Sequence, residues 1–410
     1  MGASNNYNTI VIGAGPAGLF CAGTLGSLKL SLPVLLIEKM KRPGRKLLLS
    51  GAGSCNITND SSIDQFITHY GKNGRFMKHA LYSFSPTELI AFFESRNINF
   101  ITDKNGKYFP SSKKASDILN SLTDYCRENG VGIQTSTSVT TIVKQNDLFI
   151  VQTADKSFTS LNIVIATGGK SCPGTGSTGD GYLLAQSLGH TIIAPVPALA
   201  SVVVDTYQFC ELSGISFEDV ILSQNATKNR TRGGLLFTHT GISGPAVLHL
   251  SRYLSPKDTI YADLIPDEKE EETLEKIKTA VNQNGRQKFK HALNFLPFSA
   301  RFMLKLYQNL RIDPDIDAAQ VSNKALHDIA NTLHNLEFKI RNIESFETCM
   351  ATAGGISLKE ISGKSFESKL VKGLYFIGET IDIDGDSGGY NLQAAFSTAF
   401  CAARHISQID

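Results

Sequence analysis

A glycine-rich turn near the N-terminus constrains this chain more than any other feature. The apolar, β-branched run Thr9–Ile12 precedes Gly13–Gly18, which reads G-A-G-P-A-G, and Leu19–Leu28 continues as an apolar, helix-like segment. In such a strand–turn–helix unit the first glycine permits a tight turn, the second lets a pyrophosphate approach the backbone, and the third allows close packing of helix on strand. The helix N-terminus offers free N–H groups and partial positive charge to phosphates. The pattern therefore predicts a dinucleotide-binding site.

An acidic residue at the end of the next apolar run supports this prediction. Pro33–Glu38 is typical of a buried strand, and Glu38 lies about 20 residues beyond the turn, where a carboxylate binds ribose hydroxyls. An acid at this position favours an unphosphorylated ribose, and so FAD or NAD rather than NADP.

A second glycine pattern further along the chain lacks this context. Gly174, Gly176 and Gly179 also spell G-x-G-x-x-G. The preceding apolar run, 162–166, ends well upstream, and the apolar residues of the following helix begin only at Tyr182. No second strand ends in an acid at the required distance. We interpret this stretch as a loop and helix packed near the first nucleotide rather than a second Rossmann site.

Composition limits the number of domains and the kinds of partner that are expected. A chain of 410 residues with 41% apolar and 19% charged residues is expected to form two or three globular domains. The formal net charge of +2 does not indicate a nucleic-acid partner, and none is expected. The seven cysteines are scattered without a C-x-x-C pair, so neither a disulfide framework nor a metal site is expected. The absence of a leader and of a membrane-length apolar run predicts a cytoplasmic protein without a membrane partner.

Three further segments distinguish FAD from NAD. Arg45–Asn59 is a basic pair followed by a flexible loop of small residues, and Ile163–Gly169 is an apolar run ending in a small-residue turn. Leu374–Ala395 contains another strand, a glycine-rich turn and the start of a closing helix. Together with the motifs Phe237–Pro245 and Met350–Gly355, these segments resemble the aminoacetone-oxidase-like (YhiN-like) family of bacterial FAD-binding flavoproteins. The resemblance covers essentially the whole chain.

The resemblance implies the fold class. It is α/β, with a Rossmann-like FAD-binding domain built from both chain ends, an inserted β-barrel-like domain and a small helical insert. We place the FAD-binding domain at 1–194 and 345–410, the β-rich domain at 195–265 and 335–344, and the helical insert at 266–334.

Asp267 after Pro266 predicts a helix start. Helices are expected at 273–282, 286–293, 299–310 and 321–333, followed by a strand at 337–341.

The resemblance also implies a set of cofactor contacts. The turn glycines and Glu38 would hold the ADP half of FAD, and the backbone of Val139 would meet the adenine. The start of the last helix would lie beneath the isoalloxazine, where its N-terminus would stabilise the negative charge of reduced FAD. The family usually has arginine where this chain has Ser54, which puts the flavin contact at that position in question. The positions carried over are Gly13, Gly15, Pro16, Ala17, Gly18, Glu38, Lys39, Arg45, Lys46, Gly51, Ser54, Cys55, Asn56, Val139, Thr167, Gly168, Gly169, Gly378, Glu379, Asp382, Gly389, Tyr390, Asn391, Leu392, Gln393 and Ala395.

Few side chains are candidates for catalysis. His239, in a glycine-bounded loop before Pro245, would be useful as a base near the flavin, although a structural role is equally compatible with the motif. Cys55 is expected to be a packed thiol rather than a covalent attachment point for the flavin.

These observations leave three functional hypotheses. The first is an FAD-dependent oxidoreductase that moves a hydride between flavin N5 and a small organic substrate, either an amine or an unsaturated carbonyl compound. Molecular oxygen as an electron acceptor, or NAD(P)H as an electron donor, would complete the cycle. The second is an FAD-dependent tRNA-modifying flavoprotein, and the third is a non-enzymatic FAD-binding redox protein. The sequence does not indicate an oligomeric state. The basic residues that would support RNA binding are Lys228, Arg230, Arg232, Arg286, Lys288 and Lys290.

Overall fold

The computed structural model describes residues 6–225 and 229–410 of the chain. Lys228, one of the basic residues considered above, lies outside the described residues. The chain divides into two compact units, of which the first comprises residues 6–198 with Phe346–Asp410 and the second comprises Leu199–Ser345. The sequence-based assignment of three domains stays a prediction.

The strands are distributed over both units. In chain order they are β1 (Asn6–Ile12), β2 (Val34–Ile37), β3 (Thr58–Asn59), β4 (Phe100–Thr102), β5 (Lys107–Pro110), β6 (Gly132–Gln134), β7 (Val139–Gln145), β8 (Leu148–Thr153), β9 (Ser157–Ile165), β10 (Ile192–Ala198), β11 (Val202–Val204), β12 (Ser216–Gln224), β13 (Arg230–Phe237), β14 (Gly241–Ser243), β15 (Thr259–Asp263), β16 (Leu336–Ile343), β17 (Ala351–Ile356) and β18 (Leu374–Phe376).

The α-helices lie between these strands, singly or in consecutive groups, and the last one follows the final strand. They are α1 (Pro16–Ser27), α2 (Ile63–Thr68), α3 (Gly74–Ser83), α4 (Pro86–Glu94), α5 (Ala115–Glu128), α6 (Asp180–Ser187), α7 (Pro245–Leu250), α8 (Glu270–Gln283), α9 (Phe289–Ala292), α10 (Ala300–Leu310), α11 (Asn323–His334) and α12 (Tyr390–Ile409).

A seven-stranded sheet organises the first unit. Its order is β6-β2-β1-β9-β8-β7, and β18 also pairs with β9. The strands β6, β2, β1, β9 and β18 run parallel, while β7, β8 and β9 form an antiparallel meander. The nine-residue β9 pairs with β8 through its first half and with β18 through its last three residues. The last strand of the chain therefore joins a sheet that the first strand begins.

The register of the parallel strands creates the edge at which a site can form. Ile12 is aligned with Ile37 and with Ile165, and Ile165 is aligned with Phe376. All four side chains are buried, as expected for a parallel sheet covered on both faces. The carboxyl ends of β1, β2, β9 and β18 consequently lie side by side, and ligands of open α/β sheets bind at such an edge.

The second unit is built around a closed barrel with strand order β11-β14-β13-β12-β15-β16. The helices α8 to α11 lie between β15 and β16 in the chain. Phenylalanines from the barrel and from α10 pack together in its core, with Phe237 and Phe302 among those fully buried. The two units confirm the predicted fold class.

Three element boundaries differ from the sequence-based expectation. The helix predicted to start at Asp267 begins at Glu270, because the backbone of Lys269 is extended and caps it. The helix predicted at 286–293 is only Phe289–Ala292, because Lys288 forms an antiparallel bridge with Asp317. The strand β10 runs through both of its prolines to Ala198, since a register shift in its pairing with β17 accommodates Pro195.

Candidate functional site

A cleft opens at the carboxyl edge of the parallel strands in the first unit. The predicted cofactor residues that line it are Gly13, Glu38, Lys39, Val139 and Thr167. They come from four separate parts of the sequence, and the aligned ends of β1, β2 and β9 bring three of those parts together. The structure therefore brings these predicted residues together at one cleft, and their contacts with a dinucleotide stay predictions.

The three turn glycines meet three different steric conditions. Gly13 has a φ of +103°, and a Cβ atom there would lie 2.6 Å from the carbonyl oxygen of Ala166, so both backbone conformation and space require glycine. A Cβ atom on Gly18 would overlap the carbonyl oxygen of Gly13. Gly15 caps α1 with ordinary backbone angles, and no described atom lies within 4 Å of the position its Cβ would take. The space over Gly15 is thus open to a ligand at the helix N-terminus.

Glu38 is held in place by the backbone around it. Its Oε2 accepts a hydrogen bond from the Ala14 N–H (2.8 Å), and its Oε1 accepts one from the Met40 N–H (2.8 Å). The side chain is nearly buried. A carboxylate offers about four lone-pair positions, so both oxygens keep capacity for ribose hydroxyls.

Two buried polar atoms among the predicted cofactor residues lack a hydrogen-bond partner in the described part of the chain. The Thr167 Oγ1 and the Asn56 Oδ1 are inaccessible to solvent and have no hydrogen-bond partner within residues 6–225 and 229–410. Buried polar atoms are normally paired, and a missing ligand is one reason for an exception. Thr167 lines the cleft, so its unpartnered hydroxyl and the open space over Gly15 fit a dinucleotide that donates and accepts hydrogen bonds, whereas Asn56 is not among the described residues that line the cleft.

Hydrogen bonds around Glu379 connect the loops that follow β9 and β18. Glu379 accepts hydrogen bonds from the Thr352 N–H (2.8 Å) and from Lys46 Nζ (2.7 Å). Lys46 also donates to Ser171, and a Cβ atom on Gly169 would lie 3.2 Å from the Glu379 carboxyl carbon. The predicted residues Lys46, Gly169 and Glu379 are thus brought together. The contacts predicted between them and the cofactor stay predictions.

Lys39 also has a protein partner. Its Nζ forms an ion pair with Asp180 across the cleft. Burial opposes ionisation of Asp180, but the hydrogen bonds from Lys39 and Thr178 outweigh it and lower the pKa of that carboxyl. The pair therefore remains charged and ties α6 to the turn after β2.

The start of α12 carries the second group of residues predicted to contact the cofactor. Gly389 caps the helix with a φ of +99°, and a Cβ atom there would lie 2.5 Å from the backbone of Thr58. No side chain of the described residues caps the helix, and its first turn contains no acid. The Asn391 amide donates to the Gly385 carbonyl and accepts from the Gly385 N–H, which fixes the preceding turn. The free N–H groups of this first turn give partial positive charge for an anionic group.

An aspartate–histidine pair lies beside this helix start. The His69 Nδ1 is 2.9 Å from Asp386 Oδ2, and the imidazole stacks on Tyr390 with ring centroids 4.0 Å apart and planes at 20°. Burial raises the pKa of the Tyr390 phenol, so that hydroxyl stays protonated. Tyr70 donates from its hydroxyl to the backbone carbonyl of Tyr390 (2.8 Å), which ties Tyr70 to the start of α12.

Sequence reasoning missed His69 and Asp386. They are 317 residues apart in the chain, and neither belongs to a local motif, so only the fold brings them together.

The remaining predicted residues vary in their surroundings. Gln393 is fully buried and bonded to Thr58 and to the Phe84 carbonyl, which indicates a structural role for its amide. Cys55 is fully buried, and burial raises the pKa of its thiol to about 12, so it is neutral at physiological pH. Arg45 is exposed, and His239 lies exposed in the second unit between β13 and β14.

The other predicted positions lie in the loops and helix starts already described. Pro16 and Ala17 begin α1, and Gly168 donates its N–H to Thr380. Gly378 donates its N–H to Thr398, and Asp382 is bonded to Asn73. Gly51, Ser54 and Asn56 belong to the kinked segment before β3, while Leu392 and Ala395 lie in the first turns of α12.

The described residues show neither a cluster of metal ligands nor a membrane-length apolar helix. Within the described ranges, no group of three or more His, Cys, Asp or Glu residues is arranged to hold a metal ion. None of the helices among those residues is long and apolar enough to cross a membrane.

Comparisons with known proteins agree with the geometry. The ribosomal RNA dihydrouridine synthase of Haemophilus influenzae is 35% identical over 99% of this chain and 100% of its own length. The protein of the same name from Escherichia coli is 32% identical over 98% of both chains. The 3-dehydro-bile acid delta(4,6)-reductase of Clostridium scindens is 27% identical over 97% of this chain and 98% of its own. These names give no support to the expectation that nucleic acid is not a partner.

A solved structure shares the fold. The 3-ketosteroid delta1-dehydrogenase from Sterolibacterium denitrificans has a TM-score of 0.55 and 13% identity, covering 99% of this chain and 100% of that one. The family model described as HI0933-like protein Rossmann domain matches residues 7–405. The chain therefore belongs to the HI0933-like Rossmann-domain family of FAD-dependent oxidoreductases, in agreement with the YhiN-like resemblance seen in its sequence.

Proposed function

We propose that this chain is an FAD-dependent reductase that converts uridine to dihydrouridine in ribosomal RNA. The observation that carries the proposal is its identity of 35% and 32% with two relatives of that name, each matched over at least 98% of its own length. Such coverage means that no domain of those relatives is missing from this chain. This proposal replaces transfer RNA, the RNA class considered from the sequence, by ribosomal RNA.

The proposed reaction has the same chemical form as the reaction named for the bile-acid relative. The C5=C6 bond of uracil is conjugated with the C4 carbonyl, so a hydride adds at C6 and a proton at C5. A delta(4,6)-reductase acting on a 3-dehydro compound also reduces carbon–carbon double bonds conjugated with a carbonyl. The shared requirement is a hydride donor on one side of the substrate and a proton donor within reach.

The first unit supplies the residues that would hold FAD. We assign the pyrophosphate to the open space over Gly15 and the adenosine ribose to Glu38, whose carboxylate the backbone already orients. The uncapped first turn of α12 would face the pyrimidine end of the flavin. Bound FAD would supply the hydride, with NAD(P)H as the donor that renews it.

The pair His69–Asp386 is our candidate for the proton donor. A carboxylate bonded to one imidazole nitrogen orients the ring and leaves the other nitrogen to transfer a proton as a general acid. The His69 side chain is 33% exposed, so it can exchange protons with solvent. Its stacking on Tyr390 fixes the ring at the start of α12. His239 is not needed for this role.

Ribosomal RNA from cells that lack the protein is the substrate for the test. The purified holoprotein would be reduced anaerobically with NADPH or NADH and mixed with this RNA, and dihydrouridine would be measured by mass spectrometry of the digested RNA. We expect dihydrouridine to form and the flavin to be reoxidised without oxygen. Formation of no dihydrouridine, with rapid flavin reoxidation by a conjugated steroid ketone, would refute ribosomal RNA as the substrate. Flavin bleaching by an amine and recovery in air would indicate an oxidase instead.

Asp386→Asn and His69→Asn variants test the proton donor. Both side chains are partly exposed, so we expect normal flavin content and normal flavin reduction by the nicotinamide. General acid catalysis typically contributes a factor of about 10²–10⁴, so RNA reduction should fall by at least about 10²-fold in the His69 variant. An unchanged rate and pH profile in that variant would exclude His69 as the proton donor.

A further inference from the structure

A cleft on the outer face of α3 is not explained by the cofactor site. It has a volume of about 490 Å³. We call it the α3 cleft and define it by Arg75, Phe76, Lys78, His79, Tyr82 and Lys364. No Asp or Glu is among the described residues that line it. Three permanent cations, a histidine and a tyrosine thus share one open surface.

The spacing of these residues makes the surface a continuous stripe. Lys78 and His79 are adjacent, and each lies three or four positions from both Arg75 and Tyr82, so the four residues share one side of α3. The opposite face is buried through Met77 and its neighbours. The stripe extends about 10 Å along the helix at 1.5 Å per residue. It is therefore long enough to contact more than one phosphate of a nucleic-acid strand.

The side chains of the stripe are available to a ligand. Arg75, Lys78, His79 and Lys364 are exposed, and within the described part of the chain none of the three permanent cations forms an ion pair. Tyr82 is 56% exposed, and the Lys78 ammonium lies 5.9 Å from its ring centroid. Cations that follow a strand backbone, combined with an exposed aromatic ring on which a base can stack, are typical of single-stranded nucleic-acid binding.

The stripe begins next to the candidate active site. The Asn73 amide, just before α3, donates to the carbonyl of Asp382 (2.8 Å) and to its carboxylate (3.1 Å). Four residues earlier, His69 is bonded to Asp386. The same short segment therefore carries the candidate proton donor and leads directly into the cationic stripe.

We infer that the α3 cleft binds the sugar–phosphate backbone of ribosomal RNA, with Tyr82 stacking on an unpaired base. The inference rests on the proposed function and adds the surface by which this chain holds its RNA. A net charge of +2 does not oppose it, because backbone binding needs local charge rather than a basic protein.

The test compares two triple variants of the FAD-loaded protein. The first, Arg75→Gln with Lys78→Gln and Lys364→Gln, removes the three cations of the cleft. The control, Lys104→Gln with Lys156→Gln and Lys324→Gln, removes three exposed lysines elsewhere. Binding of ribosomal RNA from cells that lack the protein is measured by filter retention at several KCl concentrations. Flavin content and melting temperature show that each variant is folded.

The cleft variant should bind more weakly and depend less on salt. Each phosphate contact contributes about 0.7–0.9 to the slope of log K against log[salt], so its slope should be smaller in magnitude by about 2–3. The control should keep the slope of the unmodified protein. Tyr82→Ala should weaken binding at every salt concentration by about fivefold or more and leave the slope unchanged.

Three outcomes would overturn the inference. The first is an unchanged salt slope for RNA binding in the cleft variant. The second is an equal loss of RNA binding in the control variant. The third is a cleft variant that still binds RNA normally but no longer binds anionic lipid vesicles. Because RNA binding is measured separately from turnover, failure of the proposed function can be distinguished from failure of this inference. In that case the unmodified protein forms no dihydrouridine, whatever its slope.

Discussion

Gly15 and Gly18 allow cofactor binding and folding to be perturbed separately. They belong to the same turn, but a methyl group has different neighbours at each. No described atom lies within 4 Å of a Cβ on Gly15, and its φ of −76° suits alanine. A Cβ on Gly18 would overlap the carbonyl oxygen of Gly13 and lie 3.1 Å from its carbonyl carbon. We therefore expect Gly15→Ala to reduce FAD affinity and Gly18→Ala to reduce stability.

The expected magnitudes follow from these contacts. Gly15→Ala exchanges a small capping loss for a small gain from a stiffer unfolded chain, so the free energy of unfolding of the apoprotein should change by less than about 1 kcal/mol. The methyl group occupies the space assigned to the pyrophosphate. Losing one hydrogen bond to a charged phosphate costs about 1.5–3 kcal/mol, which raises the Kd for FAD by about 10- to 150-fold. Overpacking by Gly18→Ala should cost about 1–3 kcal/mol of stability.

Two measurements on the apoproteins separate the effect on FAD affinity from the effect on stability. Quenching of FAD fluorescence on titration gives Kd, and urea unfolding gives the free energy of unfolding. Gly15→Ala protein that bound FAD with the unmodified Kd would refute the placement of the pyrophosphate. Gly18→Ala protein with unchanged unfolding would refute the packing argument.

Three further predictions concern individual side chains. Glu38→Gln replaces one carboxylate oxygen by an NH₂ group that cannot accept from the backbone, so the Kd for FAD should rise by about tenfold or more in the same titration. Burial raises the pKa of the Cys55 thiol to about 12, so an alkylating reagent at about pH 8 should modify Cys55 only on unfolding; peptide mass mapping that found it modified in the native protein would contradict this. Burial also raises the pKa of the Cys126 thiol from 9.0 to about 12, so the unfolded chain loses this proton first, and stability should fall by about 1.4 kcal/mol per pH unit between those values. Cys126→Ala should remove this pH dependence of the free energy of unfolding, measured by urea unfolding at alkaline pH. If the variant kept the full pH dependence, the Cys126 thiol would not be its source.

The N-terminal part of the site could be predicted because it is local. The turn glycines, the strand β2 and Glu38 lie within 26 residues of one another, and each has a steric or hydrogen-bonding role that its residue type reveals. Strand–turn–helix units of this kind fold according to short-range rules. The same holds for the helix that closes the sheet near the C-terminus.

The partners of the charged residues could not be predicted, because the pairs are distant in sequence. Lys46 and Glu379 are 333 residues apart, and a basic residue near a nucleotide loop predicts an approach to the nucleotide but not a carboxylate partner from the other end of the chain. The α3 cleft was also missed, since its residues read as an ordinary solvated helix face until the loop containing Lys364 is placed beside them. The helix expected at 286–293 was shortened by a bridge to Asp317, which no local propensity encodes.

The pairing of β18 with β9 affects the order in which this protein matures. Translation proceeds at about 5–20 residues per second, so the roughly 210 residues between the two strands take about 10–40 s to synthesise. During that interval the last three residues of β9 present an unpaired apolar edge, the kind of surface on which chains associate wrongly. The turn after β1, which we assign to the adenosine half of the cofactor, is made early, whereas the start of α12, which we assign to the flavin, is made last. We therefore expect stable cofactor loading only after β18 and α12 have been made, and scarcity of riboflavin should increase aggregation of newly made chains.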